Sequence, residues 1–454
     1  MAKTIAAIAT PLAVGGISVI RISGDDAIST AEKVFKSASG VLLSQKPGYT
    51  ASFGHVYNGN TIIDTSVAVV FRAPKSYTGE DVVEISCHGG VFITREVLRI
   101  ITQSGAVLAQ PGEFSKRAFI NGKLSLTQAE AVIDVINSQN SQALKAAQSQ
   151  LDGALYKNII SIKDEMITIA GHLTAWIDFP EEDVPEIENA KLLSSLINAQ
   201  EELEKLLQTF DVGQIIKNGV LTAIVGKPNV GKSTLMNRLS GYDKSIVTKI
   251  PGTTRDVVEE TINLGDVVLN LCDTAGIHKT EDIVEQFGVQ KSYEKIKSAS
   301  LILAVFDNSL PLTEEDKLII NAIGDTLAIA VLNKSDLPNK IDTEYIKAAF
   351  KHIVYISAQK DENVQCLNDM ICNILNISDI DLSSGMIATE RQRAAALSAK
   401  GYIKESILAL KSSVTLDAIT VLIELAIDAL LELSGERVSE EIVNNVFSQF
   451  CVGK

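Results

Sequence analysis

A glycine-rich loop between a strand and a helix is the sequence feature that most limits how this chain can fold. The apolar run Val220–Val225 leads directly into residues 226–233, which read Gly-Lys-Pro-Asn-Val-Gly-Lys-Ser, and a helix is predicted over 234–239. In this context backbone N–H groups can wrap phosphate oxygens, Lys232 can neutralise the β and γ oxygens, and the Ser233 hydroxyl can bind Mg²⁺. The alternative, a chance glycine-rich turn, does not explain the flanking strand and helix. The sequence therefore predicts an α/β nucleotide-binding domain.

A later segment predicts that the bound base is guanine. The strand predicted over 328–332 leads into residues 333–336, which read Asn-Lys-Ser-Asp. The Asp336 carboxylate can accept hydrogen bonds from guanine N1–H and the exocyclic amine, whereas adenine would leave it unpaired, a difference of about 10⁴-fold in such sites. Residues 357–359, Ser-Ala-Gln, follow another predicted strand and can also contact the base, although Ser-Ala is common in turns.

Two segments between these motifs have the character of nucleotide-sensing switches. Residues 273–276, Asp-Thr-Ala-Gly, follow a predicted strand, so the Asp273 carboxylate can hold the Mg²⁺ shell and a glycine N–H can sense the γ-phosphate. Residues 252–256, Gly-Thr-Thr-Arg-Asp, offer a threonine hydroxyl that completes this shell only when the γ-phosphate is bound. Alone, this threonine pair would indicate an ordinary surface loop. Its position among the other motifs favours a switch.

The residue that orients the attacking water is not evident from these motifs. A Ras-like GTPase uses a glutamine soon after the Asp-x-x-Gly motif, but here the apolar Ile277 and then His278 follow Gly276. Water positioning is therefore expected from another residue. The sequence pattern alone leaves three alternatives, namely Glu281, Asp282 and Glu285.

Composition and charge argue against several other classes of protein. The 454 residues are 46% apolar and 21% charged, which is the mixture of a globular protein and not of a disordered or collagen-like one. With 41 basic and 56 acidic residues the net charge is −15, which argues against a protein that coats nucleic acid. Five cysteines without metal-ligand spacing favour a reducing, cytoplasmic setting. The sequence contains no uninterrupted apolar run of about 18 residues, so we predict no membrane span.

Changes in the pattern of apolar, Gly and Pro residues along the chain predict an α/β unit inserted into a helical domain. Short β-branched runs separated by Gly and Pro turns indicate an α+β domain at the N-terminus, and helical periodicity follows on both sides of the α/β unit. The helical segments carry apolar stripes. One face of the first has Ala129, Val132, Ile133 and Ile136, and the amphipathic stripe of the last has Leu422, Ile423, Leu425, Ala426, Ala429 and Leu430. The predicted segments are 1–121, 122–213, 214–380 and 381–454.

Blocks outside the nucleotide motifs resemble one known family. They are Arg-Ile-Ser-Gly at 21–24, Tyr-Thr-Gly-Glu-Asp at 77–81, Cys-His-Gly-Gly at 87–90, Pro-Gly-Glu-Phe-Ser-Lys-Arg-Ala-Phe at 111–119 and Phe-Cys-Val-Gly-Lys at 450–454. With the nucleotide motifs, they make the chain similar over its whole length to the bacterial tRNA-modification GTPase MnmE family, also called TrmE. The resemblance implies a multidomain α/β protein: an α+β N-terminal folate-binding domain that dimerises, an all-α helical domain, and a Ras-like P-loop G domain inserted into it.

The resemblance also implies an activity. It implies action with a flavoprotein, MnmG, to install a carboxymethylaminomethyl-type group at C5 of the wobble uridine of certain tRNAs. A reduced folate, 5,10-methylene- or 5-formyl-tetrahydrofolate, would supply the one-carbon unit, and GTP hydrolysis would drive conformational change. The expected partners are tRNA, the flavoprotein and a second copy of the chain, and the expected ions are Mg²⁺ and K⁺.

In the family, a potassium ion takes the place of the arginine finger of other GTPases, which contributes about 10³ to 10⁵ in rate. By the resemblance, the Asn229 side chain ligates K⁺, and backbone carbonyls complete the cage, namely those of Thr248, Ile250 and Thr253. Pro251 stands where the family often has a small residue, and its fixed φ restricts this potassium loop. Glu285 matches the water-orienting glutamate, whereas by itself it would indicate a solvated helix carboxylate.

Together these arguments predict a set of nucleotide and metal contacts. The catalytic residues are predicted to be Lys232, Thr254 and Glu285, and Mg²⁺ is predicted to bind Ser233 and Thr254. The predicted GTP contacts are Asn229, Val230, Gly231, Lys232, Ser233, Thr234, Thr248, Lys249, Ile250, Pro251, Gly252, Thr253, Thr254, Asp273, Thr274, Ala275, Gly276, Asn333, Lys334, Asp336, Ser357, Ala358 and Gln359.

Four charged residues match folate-contacting positions of the family, namely Arg21, Glu84, Lys123 and Lys454. A carboxylate can read the edge of a pterin and cations can hold its glutamate tail, although each residue alone would be a routine surface charge. Cys451 matches a cysteine beside this site and is assigned a possible chemical role. A lone cysteine near an apolar helix end is, however, more often a core residue.

Two other functions are considered beside this one. The first is a ribosome-assembly or signalling GTPase without folate chemistry, and the second is a folate-dependent one-carbon transferase whose G domain is regulatory. The candidates for a basic patch that faces RNA are Lys116, Arg117, Arg391, Arg393 and Lys400. Each of them alone would indicate a solvated charge.

Overall fold

The structure is a computed structural model that describes residues 3–178, 188–241, 258–272, 299–375 and 382–454. Within it the chain forms two compact units. The first comprises Met1–Ile133, Leu151–Leu196 and Gly401–Lys454, and the second comprises Asp134–Gln150 and Ile197–Lys400.

A seven-stranded sheet with two helices packed on it forms the N-terminal part of the first unit. The elements are β1 Ile5–Ile8, β2 Ile17–Ser23, α1 Ala27–Val34, β3 Phe35–Ser37, β4 Thr50–Asn58, β5 Thr61–Phe71, β6 Val82–His88, α2 Val91–Gln103 and β7 Val107–Leu108. The strand order is β3-β4-β5-β6-β2-β1-β7, with β1 and β7 parallel and the other neighbours antiparallel. A short 3₁₀ turn, Leu43–Gln45, precedes β4.

The alternation of side chains along the central strands determines which residues face the helices. Ile20 and Ile22 of β2 and Val83 and Ile85 of β6 are buried in one core with the apolar residues of α1 and α2. Because successive residues of a strand point to opposite faces, their neighbours Arg21 and Glu84 lie on the other face. These two residues are direct cross-strand partners, so their side chains are adjacent.

Helices make up the rest of the first unit and connect it with the second. They are α3 Glu113–Ile120, α4 Leu126–Asn137, α5 Ser141–Leu151, α6 Ala154–Asp178, α7 Asn189–Gln208, α13 Glu390–Lys411, α14 Leu416–Ser434 and α15 Glu440–Ser448. The long helices α6 and α14 pack together within the first unit. Most residues of the two predicted apolar stripes are buried, whereas Ile136 is 48% exposed and Leu425 is 39% exposed.

A mostly parallel sheet is the centre of the second unit. Its elements are α8 Phe210–Asn218, β8 Val220–Val225, α9 Lys232–Ser240, β9 Val258–Asn263, β10 Val268–Cys272, β11 Leu301–Asp307, α10 Glu314–Ile323, β12 Ala328–Asn333, α11 Thr343–Ala349, β13 His352–Tyr355 and α12 Val364–Ile374. The strand order is β13-β12-β11-β8-β10-β9, and only β9 is antiparallel to its neighbour. Strand β11 is buried along its whole length, as a central parallel strand should be.

This architecture confirms the predicted fold class: an α+β N-terminal domain, a helical domain and an inserted P-loop G domain. Strand β8 has the predicted bounds, whereas β13 ends at Tyr355, one residue before the end of the predicted strand. The domain boundaries proposed from the sequence stay predictions. Among the described residues, no helix is both long and apolar enough to cross a membrane.

Candidate functional site

The glycine-rich loop joins β8 to α9 and is pressed against the ends of two neighbouring strands. Gly226 has a φ of +152° and Gly231 a φ of +100°, which side chains rarely adopt. A Cβ on Gly226 would lie 2.3 Å from the carbonyl oxygen of Val305, and one on Gly231 would lie 2.2 Å from Nδ2 of Asn333. Only glycine therefore fits at these two positions, and the loop keeps its backbone available to a ligand.

Lys232 and the first turn of α9 provide the positive end of the site. The Lys232 ammonium donates to the carbonyl oxygens of Gly226 at 2.6 Å and Lys227 at 2.8 Å, so it lies over the loop. Ser233 and Thr234 are exposed in the first turn of α9, where the backbone N–H groups point out of the helix. This combination of a cation, free N–H groups and a hydroxyl suits a phosphate with a bound divalent metal.

Asn333 is a buried brace between the loop and the predicted base-contacting segment. Its side chain is 3% exposed, donates from Nδ2 to the carbonyl oxygen of Val230 at 2.8 Å and accepts from the N–H of Ala358 at 3.0 Å. Sequence reasoning assigned Asn333 to the nucleotide contacts. In the structure it joins two loops that meet at the carboxyl ends of β8, β12 and β13.

Lys334 links the same loop to a carboxylate that the sequence analysis missed. Its ammonium donates to the carbonyl oxygen of Asn229 at 3.1 Å and to Oδ2 of Asp307 at 2.5 Å. Burial raises the pKa of Asp307, but hydrogen bonds from Lys334 and Ser309 outweigh it, so the pKa lies below its usual value. The available signal was a carboxylate at the end of the otherwise apolar β11.

Asp336 lies half-buried beside the predicted base-contacting segment. A hydrogen bond from the Ser357 hydroxyl is the main cause that lowers the pKa of Asp336, and Lys360 lies 3.5 Å from the carboxylate. Arg238, on α9, donates to the carbonyl oxygens of Ala358 and Gln359, each at 3.0 Å. The predicted base loop is thus tied to the phosphate-binding helix, and the carboxylate is kept ionised, as guanine recognition requires.

In the first unit, a second charged cluster surrounds Arg21. Its Nε lies 2.8 Å from Oε1 of Glu84, and its Nη1 donates to the carbonyl oxygen of Gly453 at 3.2 Å. The guanidinium carbon lies 5.5 Å from the ring centre of Tyr77 and 5.6 Å from that of Phe114. A guanidinium held between two rings and a carboxylate has little freedom to reorient.

The C-terminal tail brings Lys454 to this cluster. Burial, and next the neighbouring charge of Arg21, lower the pKa of Lys454. Cys451 is exposed, so the expectation of a core cysteine is wrong. The Lys123 ammonium donates to the carbonyl oxygen of Pro74 at 3.1 Å. It lines an open cleft of about 540 Å³ with Asp25, Ala73, Pro74, Gly79, Glu80, Asp81 and Asn121.

Comparison with known proteins decides the family. A family profile described as "GTP-binding protein TrmE N-terminus" matches residues 4–123, and one described as "MnmE helical domain" matches residues 126–451. The "tRNA modification GTPase MnmE" proteins of Lactobacillus gasseri and Thermoanaerobacter pseudethanolicus are each 41% identical to the chain over 456 residues. These alignments cover 99% of this chain and 98% and 99% of those proteins.

The chain belongs to the MnmE family. As a member it is a GTP hydrolase, which confirms the nucleotide class predicted from the motifs. The alternative of a ribosome-assembly GTPase does not explain the match of residues 4–123 to the TrmE N-terminus. A solved structure of Era in complex with MgGDPNP and nucleotides of 16S ribosomal RNA is 29% identical over 40% of this chain and 66% of that chain, with a TM-score of 0.27.

Several residues predicted from the nucleotide motifs or from the family resemblance lie outside the described residues. These are the potassium loop and first switch, Thr248, Lys249, Ile250, Pro251, Gly252, Thr253 and Thr254, and the second switch with the water-orienting candidate, Asp273, Thr274, Ala275, Gly276 and Glu285. Their roles stay predictions. In the parts of the chain that the structure describes, no group of three or more His, Cys, Asp or Glu side chains could hold a metal ion.

Most of the basic residues considered for an RNA-facing patch have acidic or polar partners. Arg117 lies 2.8 Å from Glu113 and 3.1 Å from Glu80, and the Lys116 ammonium donates to Asn444 at 2.7 Å. In the second unit, Arg393 lies 3.6 Å from Glu390, and Lys400 pairs with Glu204. Their charges are therefore largely compensated within each unit of this MnmE member.

Proposed function

We propose that the chain is a potassium-activated GTPase that, with an MnmG-type flavoprotein partner, modifies C5 of the wobble uridine of certain tRNAs. The group added is of the carboxymethylaminomethyl type, and a reduced folate is the one-carbon donor. One observation carries this proposal: a single chain holds both the braced nucleotide loop and the charged cluster around Arg21, Glu84 and the C-terminal tail. The charged cluster around Arg21 is not expected in a GTPase without folate chemistry.

Different residues of the nucleotide site have different roles in GTP binding and hydrolysis. Lys232 approaches the β and γ oxygens from its place over the loop, and the exposed Ser233 hydroxyl, with Thr254, would hold Mg²⁺. When bound, Mg²⁺ neutralises charge that builds up on the phosphate oxygens. Asp336 selects guanine, and Ser357, Ala358 and Gln359 form the other side of the base pocket. We assign the orientation of the attacking water to Glu285.

The fit of a potassium ion rests on Asn229. Its backbone has a φ of +65°, a conformation that asparagine tolerates better than most residues, and its side chain is exposed beside the loop. An amide oxygen at this place can ligate a monovalent cation, with the carbonyls of Thr248, Ile250 and Thr253 as further ligands. The ion would supply positive charge next to the transferring phosphoryl group.

The cluster in the first unit suits a reduced folate, either 5,10-methylene- or 5-formyl-tetrahydrofolate. Glu84 presents a carboxylate of the kind that reads a pterin edge, and the ring-flanked guanidinium of Arg21 fixes its position. Lys454 is next to Arg21, and Lys123 lines an open cleft of the same domain. Both lysines are cations that could hold the anionic tail of a folate. The exposed thiol of Cys451 is available for a chemical role.

The partners follow from the same proposal. We propose a homodimer through the N-terminal domain, a flavoprotein partner and tRNA as substrate, in the cytoplasm. A net charge of −15 and the paired basic residues favour an arrangement in which the flavoprotein makes much of the tRNA contact. The relatives in Lactobacillus gasseri and Thermoanaerobacter pseudethanolicus carry the name of tRNA modification GTPases, which supports tRNA as substrate.

GTP turnover of the full-length protein in potassium and sodium buffers of equal ionic strength tests the cation. We expect much faster turnover in potassium, because Asn229 can ligate the ion and the residues after Gly276 lack the glutamine of a Ras-like GTPase. Glu285→Ala should abolish turnover and leave nucleotide affinity nearly intact. Equal rates in the two salts would contradict the role of Asn229, and normal turnover of Glu285→Ala would move the water-orienting role to another residue.

Calorimetry with 5-formyl-tetrahydrofolate tests the folate site of the same protein. Heat of binding that is lost in Glu84→Gln supports the one-carbon proposal. Absence of any binding heat would overturn it and favour a GTPase without folate chemistry. A folate-dependent transferase with a merely regulatory G domain would instead bind folate and modify uridine without GTP hydrolysis.

A further inference from the structure

We propose that Asp307 is a positioning residue that, through Lys334, holds the backbone of Asn229 in the conformation needed to bind the activating cation. This inference rests on the proposed cation role of Asn229 and adds a residue that lies on a different strand. Asp307 itself is at the end of β11, and its contacts are with Lys334 and Ser309.

The backbone of Asn229 needs outside support. Its φ of +65° lies in the left-handed region, which non-glycine residues occupy only when the surrounding structure compensates. The carbonyl oxygen of Asn229 accepts a hydrogen bond from the Lys334 ammonium at 3.1 Å, and the next carbonyl, that of Val230, accepts from Asn333 at 2.8 Å. Two successive carbonyls are therefore fixed by two successive residues, the last residue of β12 and the one that follows it. Fixing these peptide planes fixes the direction in which the Asn229 side chain leaves the loop.

Asp307 determines where the Lys334 ammonium lies. A lysine is a flexible point charge, so a single carbonyl contact would not hold it in place. Oδ2 of Asp307 lies 2.5 Å from the ammonium, and Oδ1 accepts from the N–H of Ser309 at 2.9 Å and from its hydroxyl at 2.6 Å. The carboxylate side chain is 3% exposed. A buried carboxylate with both oxygens engaged is a rigid anchor, and it acts on Asn229 only through Lys334.

The same loop provides a matched comparison on its other side. Lys227 donates to Oδ2 of Asp316 at 2.8 Å, and the Asp316 side chain is 1% exposed. The two carboxylates are similarly buried, while Lys227 is 13% exposed and Lys334 is 35% exposed. This pair also joins the loop to a neighbouring element, the first turn of α10. Among the contacts of the described residues, however, it reaches Lys227 and not Asn229. Loss of either pair disturbs the loop, but only loss of Asp307 should disturb Asn229.

The test compares Asp307→Asn with Asp316→Asn in the full-length protein. We measure the potassium concentration for half-maximal GTP hydrolysis, the KM for GTP, and the hydrogen exchange of the amides of residues 229–231 with GDP and Mg²⁺ bound. For Asp307→Asn we expect half-activation to need about tenfold more potassium and these amides to exchange about tenfold faster, the effect of losing one charge-assisted hydrogen bond. The KM for GTP should rise by less than about threefold, and Asp316→Asn should change neither the potassium requirement nor this exchange.

Two results would overturn the inference. One is a potassium requirement and an exchange rate in Asp307→Asn that equal those of the wild type. The other is a parallel rise in the potassium requirement and the KM for GTP in both variants, which would indicate a general structural role. If the wild type itself is equally active in potassium and sodium, the cation proposal fails. The exchange of residues 229–231 then decides by itself whether Asp307 positions the loop.

Discussion

At the scale of single residues, Asn333 links the two loops of the nucleotide site by hydrogen bonds. It is buried and it satisfies a carbonyl of the phosphate loop and an N–H of the base loop at once. The sequence motif predicts that this asparagine is important, but not that it acts as a brace. That role depends on where β12 and β13 end relative to the loop after β8, and sequence spacing does not contain this information.

We predict that Asn333→Ala lowers GDP affinity at least about tenfold. The substitution leaves the Val230 carbonyl and the Ala358 N–H buried without partners, at about 1–3 kcal/mol for each such group. Titration of a fluorescent GDP derivative measures the change. Asn339→Ala is the control, because Asn339 is exposed and its side chain accepts from the N–H of Ile341, two residues further on. Unchanged affinity in Asn333→Ala would contradict the bracing role.

We predict that Asp336→Asn weakens guanine binding and improves the relative binding of xanthine. The amide would present an N–H₂ donor where guanine also has donors, whereas xanthine has a carbonyl at that position. Competition of GDP and xanthosine diphosphate for the site measures the preference. If Asp336→Asn kept the wild-type preference for guanine, another residue would have to recognise the base.

The pH dependence of GDP binding follows from the same carboxylate. Its pKa lies below the ordinary value of about 3.9, because Ser357 donates to the charged form. Ionisation of Asp336 therefore favours the folded state above about pH 3.9, and this contribution is lost as the pH falls through the lower folded pKa. GDP affinity should be constant between about pH 8 and pH 5 as far as Asp336 is concerned. A loss of affinity centred near pH 6 would point to a different titrating group.

At the scale of elements, the C-terminal tail packs against the strands of the N-terminal domain. Gly453 has a φ of +101°, and a Cβ there would lie 2.3 Å from the carbonyl oxygen of Ile8 at the end of β1. Its own carbonyl accepts from Arg21. The tail can therefore lie against β1 and β2 only with glycine at this position.

We predict that Gly453→Ala displaces the tail and lowers the affinity for 5-formyl-tetrahydrofolate at least about tenfold, because Arg21 loses one of its partners and Lys454 moves away. GTP turnover without tRNA should stay within about twofold of the wild type, since the nucleotide site is in the other unit. Gly401→Ala, in α13 with no atom within 4 Å of the added Cβ, is the control. Folate binding by Gly453→Ala that matches this control would exclude the tail from the site.

Elements differed in how well the sequence predicted them. Strand β8 was predicted with its observed bounds because a short apolar run is followed at once by a glycine-rich loop. The link from Asp307 to Lys334 could not be predicted, because it depends on β11 and β12 being parallel neighbours in the sheet. The exposure of Cys451 was also not predictable, since the tail beyond Ser448 has no periodic pattern.

At the scale of the whole molecule, one chain carries both a nucleotide site and the charged cluster around Arg21. Composition alone does not predict this combination. Composition and a net charge of −15 argued against a protein that coats nucleic acid. They did not distinguish a signalling GTPase from one that acts on tRNA. The N-terminal blocks and the C-terminal tail made that distinction, and in the structure the tail lies beside Arg21. Motif order predicts that the base and switch segments surround one nucleotide, and the switch segments lie outside the described residues.

GTP hydrolysis by this chain is proposed to support wobble-uridine modification. The most direct measurement is mass spectrometry of wobble nucleosides from cells that lack the gene and carry either the wild-type chain or Lys232→Ala. We expect the carboxymethylaminomethyl-type nucleoside to be absent without the gene, restored by the wild type and not restored by Lys232→Ala, which removes the ammonium over the phosphate loop. Unchanged nucleosides in the cells that lack the gene would contradict the account.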